Sequence, residues 1–163
     1  MIFDYSKLNI IIYFLTGIVS SLVFKQYIFG GLIMFLSACI LVQYSVINSG
    51  EPILYKYKNI TAGLPYLGLI LVLGASFYVL NESNQDSNKK LYTLAIFMMS
   101  IVFYIIKEAK KNDYEILQRY MIQQIPSILL MVYLLLISVI PENENSLENK
   151  ISEFRYKTEI KNL

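Results

Sequence analysis

The sequence predicts an all-α chain: a polytopic integral membrane bundle of about five transmembrane helices, followed by a short amphipathic C-terminal helix. Three observations carry that expectation. Five apolar blocks free of Lys, Arg, Asp and Glu occupy residues 8–24, 28–48, 61–80, 91–106 and 120–140. The composition is 56% hydrophobic and only 16% charged, against roughly 45–50% and about 25% in soluble domains. The blocks are also apolar around most of their circumference, whereas the helices of a water-soluble bundle keep a wet face.

A helix crosses a bilayer with about 20 apolar residues, in a range of roughly 17–25. Blocks 28–48, 61–80 and 120–140 meet that length, and block 8–24 sits at its lower limit. Block 91–106 reaches it only if the aliphatic stems of Lys90 and Lys107 snorkel. Four spans with one re-entrant segment is the structural alternative. Asp4 and Lys7 cancel ahead of the first block, and no small-x-small site separates it from the second. The first segment is therefore expected to stay as a helix rather than to be removed as a signal peptide.

The connections are short. Lys25–Tyr27 is a tight link, which makes the first two helices antiparallel neighbours. In Ser49–Ile60, Gly50 and Pro52 are mixed with Ile53, Leu54, Tyr55 and Tyr57, beside Lys56 and Lys58. Such a segment suits the headgroup level, with rings in the interface and lysines reaching for phosphate. Lys56 and Lys58 are candidate contacts for anionic lipid, and an ordinary interfacial turn is the plainer account. Asn81–Lys90 reads as solvated loop, and Lys107–Arg119, with both charge signs, as a polar extension of the fourth helix.

The tail, residues 141–163, is polar and begins with Pro141, which ends the fifth helix. Asn145 and Glu148 have capping-box spacing, and Leu147, Ile151 and Phe154 follow at i, i+4 and i+7. A helix over about residues 146–157 is expected. It is marginal alone in water, so its apolar face should dock on the bundle, the membrane surface or a partner. Leu147, Ile151 and Phe154 are the candidate partner-docking residues.

Basic residues near the spans set orientation. One side receives Lys7, Lys56, Lys58, Lys107, Lys110, Lys111 and Arg119, the other Lys25, Lys89 and Lys90. The expectation is a plasma or inner membrane protein with its N-terminus in the cytoplasm and its C-terminus outside.

Chemistry is scarce. There is no histidine and one cysteine, Cys39, in mid-span. Imidazole acid–base relays, haem ligation by imidazole and an ordinary zinc site are thereby removed, and no phosphate-binding or nucleophile motif occurs. Glu108, Asp113 and Glu115 are the nearest approach to a carboxylate cluster, and Lys110 and Lys111 make solvated pairing the simpler account. No cofactor, metal or catalytic residue is expected. A net charge of +2 gives no case for nucleic acid.

Each span instead carries a polar or small stripe. Asn9, Tyr13, Thr16 and Ser20 share one face of the first helix, with Gly17 and Ser21 alongside. Gln123, Ser127, Leu134 and Ser138 share a face of the fifth, with Gln124 adjacent. Such stripes pack helices together in membranes, or they line a wet path. Asn9, Gln43, Asn48, Gln123 and Gln124 all sit near span ends, which leaves the midplane with hydroxyls and favours packing. Gly30–Gly31 lets a neighbouring backbone approach. Pro65 and Pro126 are expected near helix starts, where proline is tolerated.

The run Tyr66-Leu-Gly68-Leu-Ile-Leu-Val-Leu resembles the third-helix motif of the complex I subunit 6/J family, Tyr-x-Gly-Ala-Ile-x-Val-Leu. That family also has about five spans. The likeness covers one helix, and Pro65, the Lys56–Lys58 connection and the polar tail depart from the family pattern, so it implies no residue roles. The expected function is non-catalytic: protein–protein contact within the bilayer, as a small subunit of a complex or an immunity-type protein against a membrane-active toxin. Its partners would be membrane lipids and another membrane protein or a second copy. An oligomeric pore-former is the first alternative, and a small-solute carrier or lipid-handling enzyme the second.

Overall fold

The computed structural model describes residues 7–83, 85–110, 115–140 and 147–162, the side chains of 116–123 and 147–150 excepted. Among these residues every regular element is a helix: α1 Lys7–Leu22, α2 Tyr27–Asn48, α3 Pro52–Tyr55, α4 Lys58–Thr61, α5 Gly63–Glu82, α6 Ser87–Ala109, α7 Ile116–Val139 and α8 Leu147–Lys161. The chain is an all-α bundle. Among the described residues three stretches are long and apolar enough to cross a membrane: Tyr27–Asn48, Lys58–Glu82 and Ser87–Ala109. At 1.5 Å per residue, α2 runs about 33 Å, enough for a hydrocarbon core of about 30 Å. With 16 residues, α1 reaches only about 24 Å.

Several boundaries differ from the sequence expectation. The fourth helix begins at Ser87 and ends at Ala109, so the polar residues flanking block 91–106 continue its backbone ladder and supply the length that the apolar block lacks. The fifth helix starts at Ile116, which places Pro126 well inside it. The expectation of a proline near the helix start is corrected there, because polar Gln118 and Arg119 hide the true first turn from an apolar-block reading. Lacking an N–H, Pro126 leaves the Ile122 carbonyl without its usual helix donor. Pro65 lies in the first turn of α5. The tail helix runs to Lys161, four residues further than expected; Asn145 of the supposed capping box lies outside the described residues.

Between α1 and α2 the chain turns through Lys25, whose φ of 56° is left-handed, and the Gln26 N–H closes the turn on the Ser20 carbonyl at 2.9 Å. A lysine there costs about 1–2 kcal/mol that glycine would not. The two helices then cross in backbone contact. A Cβ on Gly30 would lie 2.7 Å from the Gly17 carbonyl oxygen, and one on Gly17 2.9 Å from that of Gly30. Gly68 similarly lets α5 approach α2, where a Cβ would meet Leu36 Cα at 3.1 Å.

The core is built from α1, α2, α5 and α7. Phe29, Ile33, Leu36 and Ile40 of α2 meet Leu69, Val72 and Val79 of α5, and Tyr133, Leu134 and Ile137 of α7. Along its length α6 packs against α7 and not against α5, its neighbour in sequence. It touches α5 through rings: Phe97 lies 5.4 Å from Phe77 in an edge-to-face pair and 5.0 Å from Tyr133. The exposed surface of α5 and α6 is apolar, with Ile70, Leu91, Tyr92, Met98 and Ile105 among its residues.

Candidate functional site

The polar stripe of α1 faces inward. Asn9, Tyr13, Thr16, Gly17, Ser20 and Ser21 are all the buried residues of that helix, while Ile11, Phe14, Leu15 and Leu22 are exposed. Burial on α6 is likewise confined to Thr93 and Ser100. This inverts the pattern of a helix that faces water, where the apolar stripe is buried. Most of these inward hydroxyls find protein partners. Tyr13 faces Ser127 of α7, and Thr16 donates to the Ile12 carbonyl at 2.7 Å. Ser138 gives its proton to the Leu134 carbonyl, so at 2.8 Å it accepts from Ser20. The two α1–α7 pairs, 13 with 127 and 20 with 138, also show that these helices run parallel. Ser37 of α2 donates to the Ile10 carbonyl at 2.8 Å. The side chain of Gln123 lies outside the described residues. Gln124 is buried, and neither atom of its amide has a partner among the described residues.

The connection carrying Lys56 and Lys58 is two single-turn helices, α3 and α4, held to α2 by a contact the apolar pattern does not reveal. Buried Gln43 donates to the Lys58 carbonyl at 3.2 Å and accepts from the Thr61 hydroxyl. Replacing Gln43 with Leu removes both of these bonds, while the half-buried Lys58 carbonyl keeps the Ala62 N–H at 3.1 Å; the loss is about 0.5–1.5 kcal/mol per hydrogen bond. Freed from α2, the connection is expected to become open to trypsin at Lys56 and Lys58, and limited proteolysis reads this directly. Lys56 is exposed. Lys58 Nζ donates to Tyr55 Oη at 2.9 Å and stands 4.3 Å from that ring's centroid, while Ile53, Leu54, Tyr57 and Ile60 are exposed around it. Apolar side chains and lysines thus share one outer surface.

On α8, Ile151 and Phe154 are exposed, Phe154 at 72%. The structure therefore does not bring these two into the core. They share a helix face with Leu147, whose side chain is not described.

A cavity of about 330 Å³ opens among α1, α5, α6 and α7. It includes Tyr13 and Ser127 but neither Gln43 nor Gln124. The two described amides that would have marked a polar-solute site are thus elsewhere. Among the described residues no group of three or more His, Cys, Asp or Glu side chains converges on a common metal position.

No family model, curated protein or solved structure matches the chain. The Tyr66–Leu73 likeness therefore remains a local one. In this structure those residues form part of α5, where Gly68 admits Leu36 and Val72 is fully buried.

The stripes were readable in the sequence because polar residues inside apolar blocks recur at helical spacing. Ser76 and Tyr133 were not singled out together, although they bond at 2.9 Å across α5 and α7. Their sequence separation of 57 leaves no periodic signal.

Proposed function

We propose that this chain is a multi-pass membrane protein without catalytic activity, which acts by binding another protein in or at the bilayer. The observation that carries the reading is the reversed burial of α1 and α6. In water an apolar exterior of this extent would be a large exposed patch, rare on soluble monomers. Lipid makes it the natural exterior, and small or hydroxylated residues are then what helices turn toward each other. A non-catalytic role is supported by the absence of histidine and by the Ser20 hydroxyl of α1 bonding to Ser138 of α7.

Contact with a partner is assigned to α8, whose Ile151 and Phe154 present apolar surface outside the bundle. Lys56 and Lys58, set among exposed tyrosines and isoleucines, are assigned to anionic lipid. The lysine distribution favours a cytoplasmic N-terminus and an outer C-terminus in the cell membrane. A small subunit of a membrane complex and an immunity-type protein facing a membrane-active toxin are the two roles that fit.

The pore-forming alternative needs the α1 stripe to line water. The burial of Tyr13 and the bond between Ser20 and Ser138 support packing instead. The experiment is membrane potential, read with a voltage-sensitive dye in cells overproducing the protein. An unchanged potential is expected, together with loss of a crosslinked partner on Ile151→Asp/Phe154→Asp. Depolarisation would overturn the reading in favour of a pore.

A further inference from the structure

The cavity bounded by α1, α5, α6 and α7 is larger than a packing defect. Its volume of about 330 Å³ falls at the lower end of the roughly 300–1,000 Å³ typical of ligand pockets. We propose that it is a phospholipid site, with one acyl chain in the cavity and the lipid phosphate at Lys107. The proposal rests on the membrane reading above.

The mouth lies between α5 and α6, the two consecutive helices that do not pack along their length. Ile101 and Ile105 line the cavity and are also exposed, so the space communicates with whatever surrounds the bundle. Along α6 the lining runs from Phe97 to Ile105, a slot about 12 Å long. Its inner wall is Leu69, Leu73 and Leu130, and among the described residues no Asp, Glu, Lys or Arg lines it. Tyr13 and Ser127 both border it, and Ser100 donates to the Phe97 carbonyl at 2.6 Å.

Three occupants are conceivable for such a space: nothing, water, or hydrocarbon. Left empty, the wall atoms forgo their dispersion partners, a penalty that grows with volume. Water needs about two to four polar partners to stay, whereas most of the described lining is hydrocarbon and the Ser100 proton is already given to the Phe97 carbonyl. Hydrocarbon has no such demand, and in a bilayer it stands at the mouth.

One end of the slot is marked by charge. Tyr104 lines the cavity near the C-terminus of α6, and Lys107 Nζ lies 5.9 Å from the centroid of its ring. A chain lying in the slot with its glycerol end at Tyr104 brings its phosphate within reach of that ammonium. A phospholipid satisfies both features, whereas a free alkane or a sterol satisfies only the slot.

The test uses the full chain in nanodiscs whose phosphatidylglycerol carries a diazirine on one acyl chain, with photoadducts mapped by peptide mass spectrometry. Adducts are expected on residues 97–105 and 126–130, as well as at the outward-facing Phe14 and Ile70. Ser100→Phe fills the slot, and Leu73→Phe does so from the opposite wall should the first variant fail to fold. Either should abolish the cavity adducts while those at Phe14 and Ile70 persist. Lys107→Gln should diminish them, and unchanged labelling in that variant overturns the headgroup contact. Labelling at Phe14 and Ile70 with a bare cavity wall, or cavity adducts indifferent to filling, overturns the site itself. Absence of adducts at every position overturns the membrane reading on which it rests.

Discussion

Gly30→Ala is expected to destabilise the bundle by about 1–3 kcal/mol, the usual range for overpacking a tight contact. Gly31→Ala, one position on, is expected to leave it unchanged or slightly more stable. A Cβ on Gly30 would fall 2.1 Å from Ser21 Oγ, 2.7 Å from the Gly17 carbonyl oxygen and 2.9 Å from the Ser21 nitrogen. Two of those three atoms are backbone, so no rotamer change relieves them, and α1 must move away from α2. A Cβ on Gly31 meets nothing within 4 Å, which leaves the helix-propensity gain of about 1 kcal/mol over glycine unopposed.

The same crossing makes a second forecast. Gly17→Ala clashes with the Gly30 carbonyl oxygen at 2.9 Å and with Met34 Cγ at 2.5 Å. Separating the helices relieves both substitutions at once, so the double variant should lose less than the sum of the singles. Thermal unfolding of the four proteins in one detergent measures all of this. Damage from Gly31→Ala with a harmless Gly30→Ala would refute the observed register of α1 on α2.

That pair of glycines shows how far the sequence could be read. Adjacent glycines in an apolar block announce a close approach, but a helix turns 100° between them and the approaching partner decides which one matters. The partner is set by tertiary structure. The stripe Asn9, Tyr13, Thr16 and Ser20 was legible for a simpler reason: polar residues at helical spacing share a face whatever lies opposite. Helix ends were less legible, because polar residues prolong α6 and α7 beyond their apolar blocks. Ser87–Lys90 and Gln118–Arg119 belong to helices yet carry no hydropathy signal. The cavity had no sequence signature at all. It arises from α6 leaning on α7 rather than on α5, a choice made by rings far apart in the chain. The Gln43–Thr61 contact is of the same kind, a polar residue at a span end whose partner lies across a turn.

Those rings give the second large effect. Tyr133→Ala is expected to cost about 3–5 kcal/mol, the range for deleting a buried aromatic ring. Tyr133→Phe is expected to cost about 0.6 kcal/mol, the mean worth of an interhelical hydrogen bond in a membrane bundle. Tyr133 is fully buried, and its ring lies 5.0 Å from Phe97 and 6.4 Å from Phe77. It therefore joins α7 to both α5 and α6. Its hydroxyl does less: Ser76 already donates to the Leu73 carbonyl at 2.8 Å, so removing the phenolic oxygen leaves that serine bonded. Truncation to alanine acts differently, because it removes the ring on which α6 rests. Since α6 contributes only Thr93 and Ser100 to the buried set, it has little else to hold it against α5. The Ala variant should therefore unfold at lower temperature and lose the slot between α5 and α6, while the Phe variant keeps both. Equal losses from the two variants would mean that the hydroxyl, not the ring, anchors this helix, and ring packing would no longer account for the position of α6.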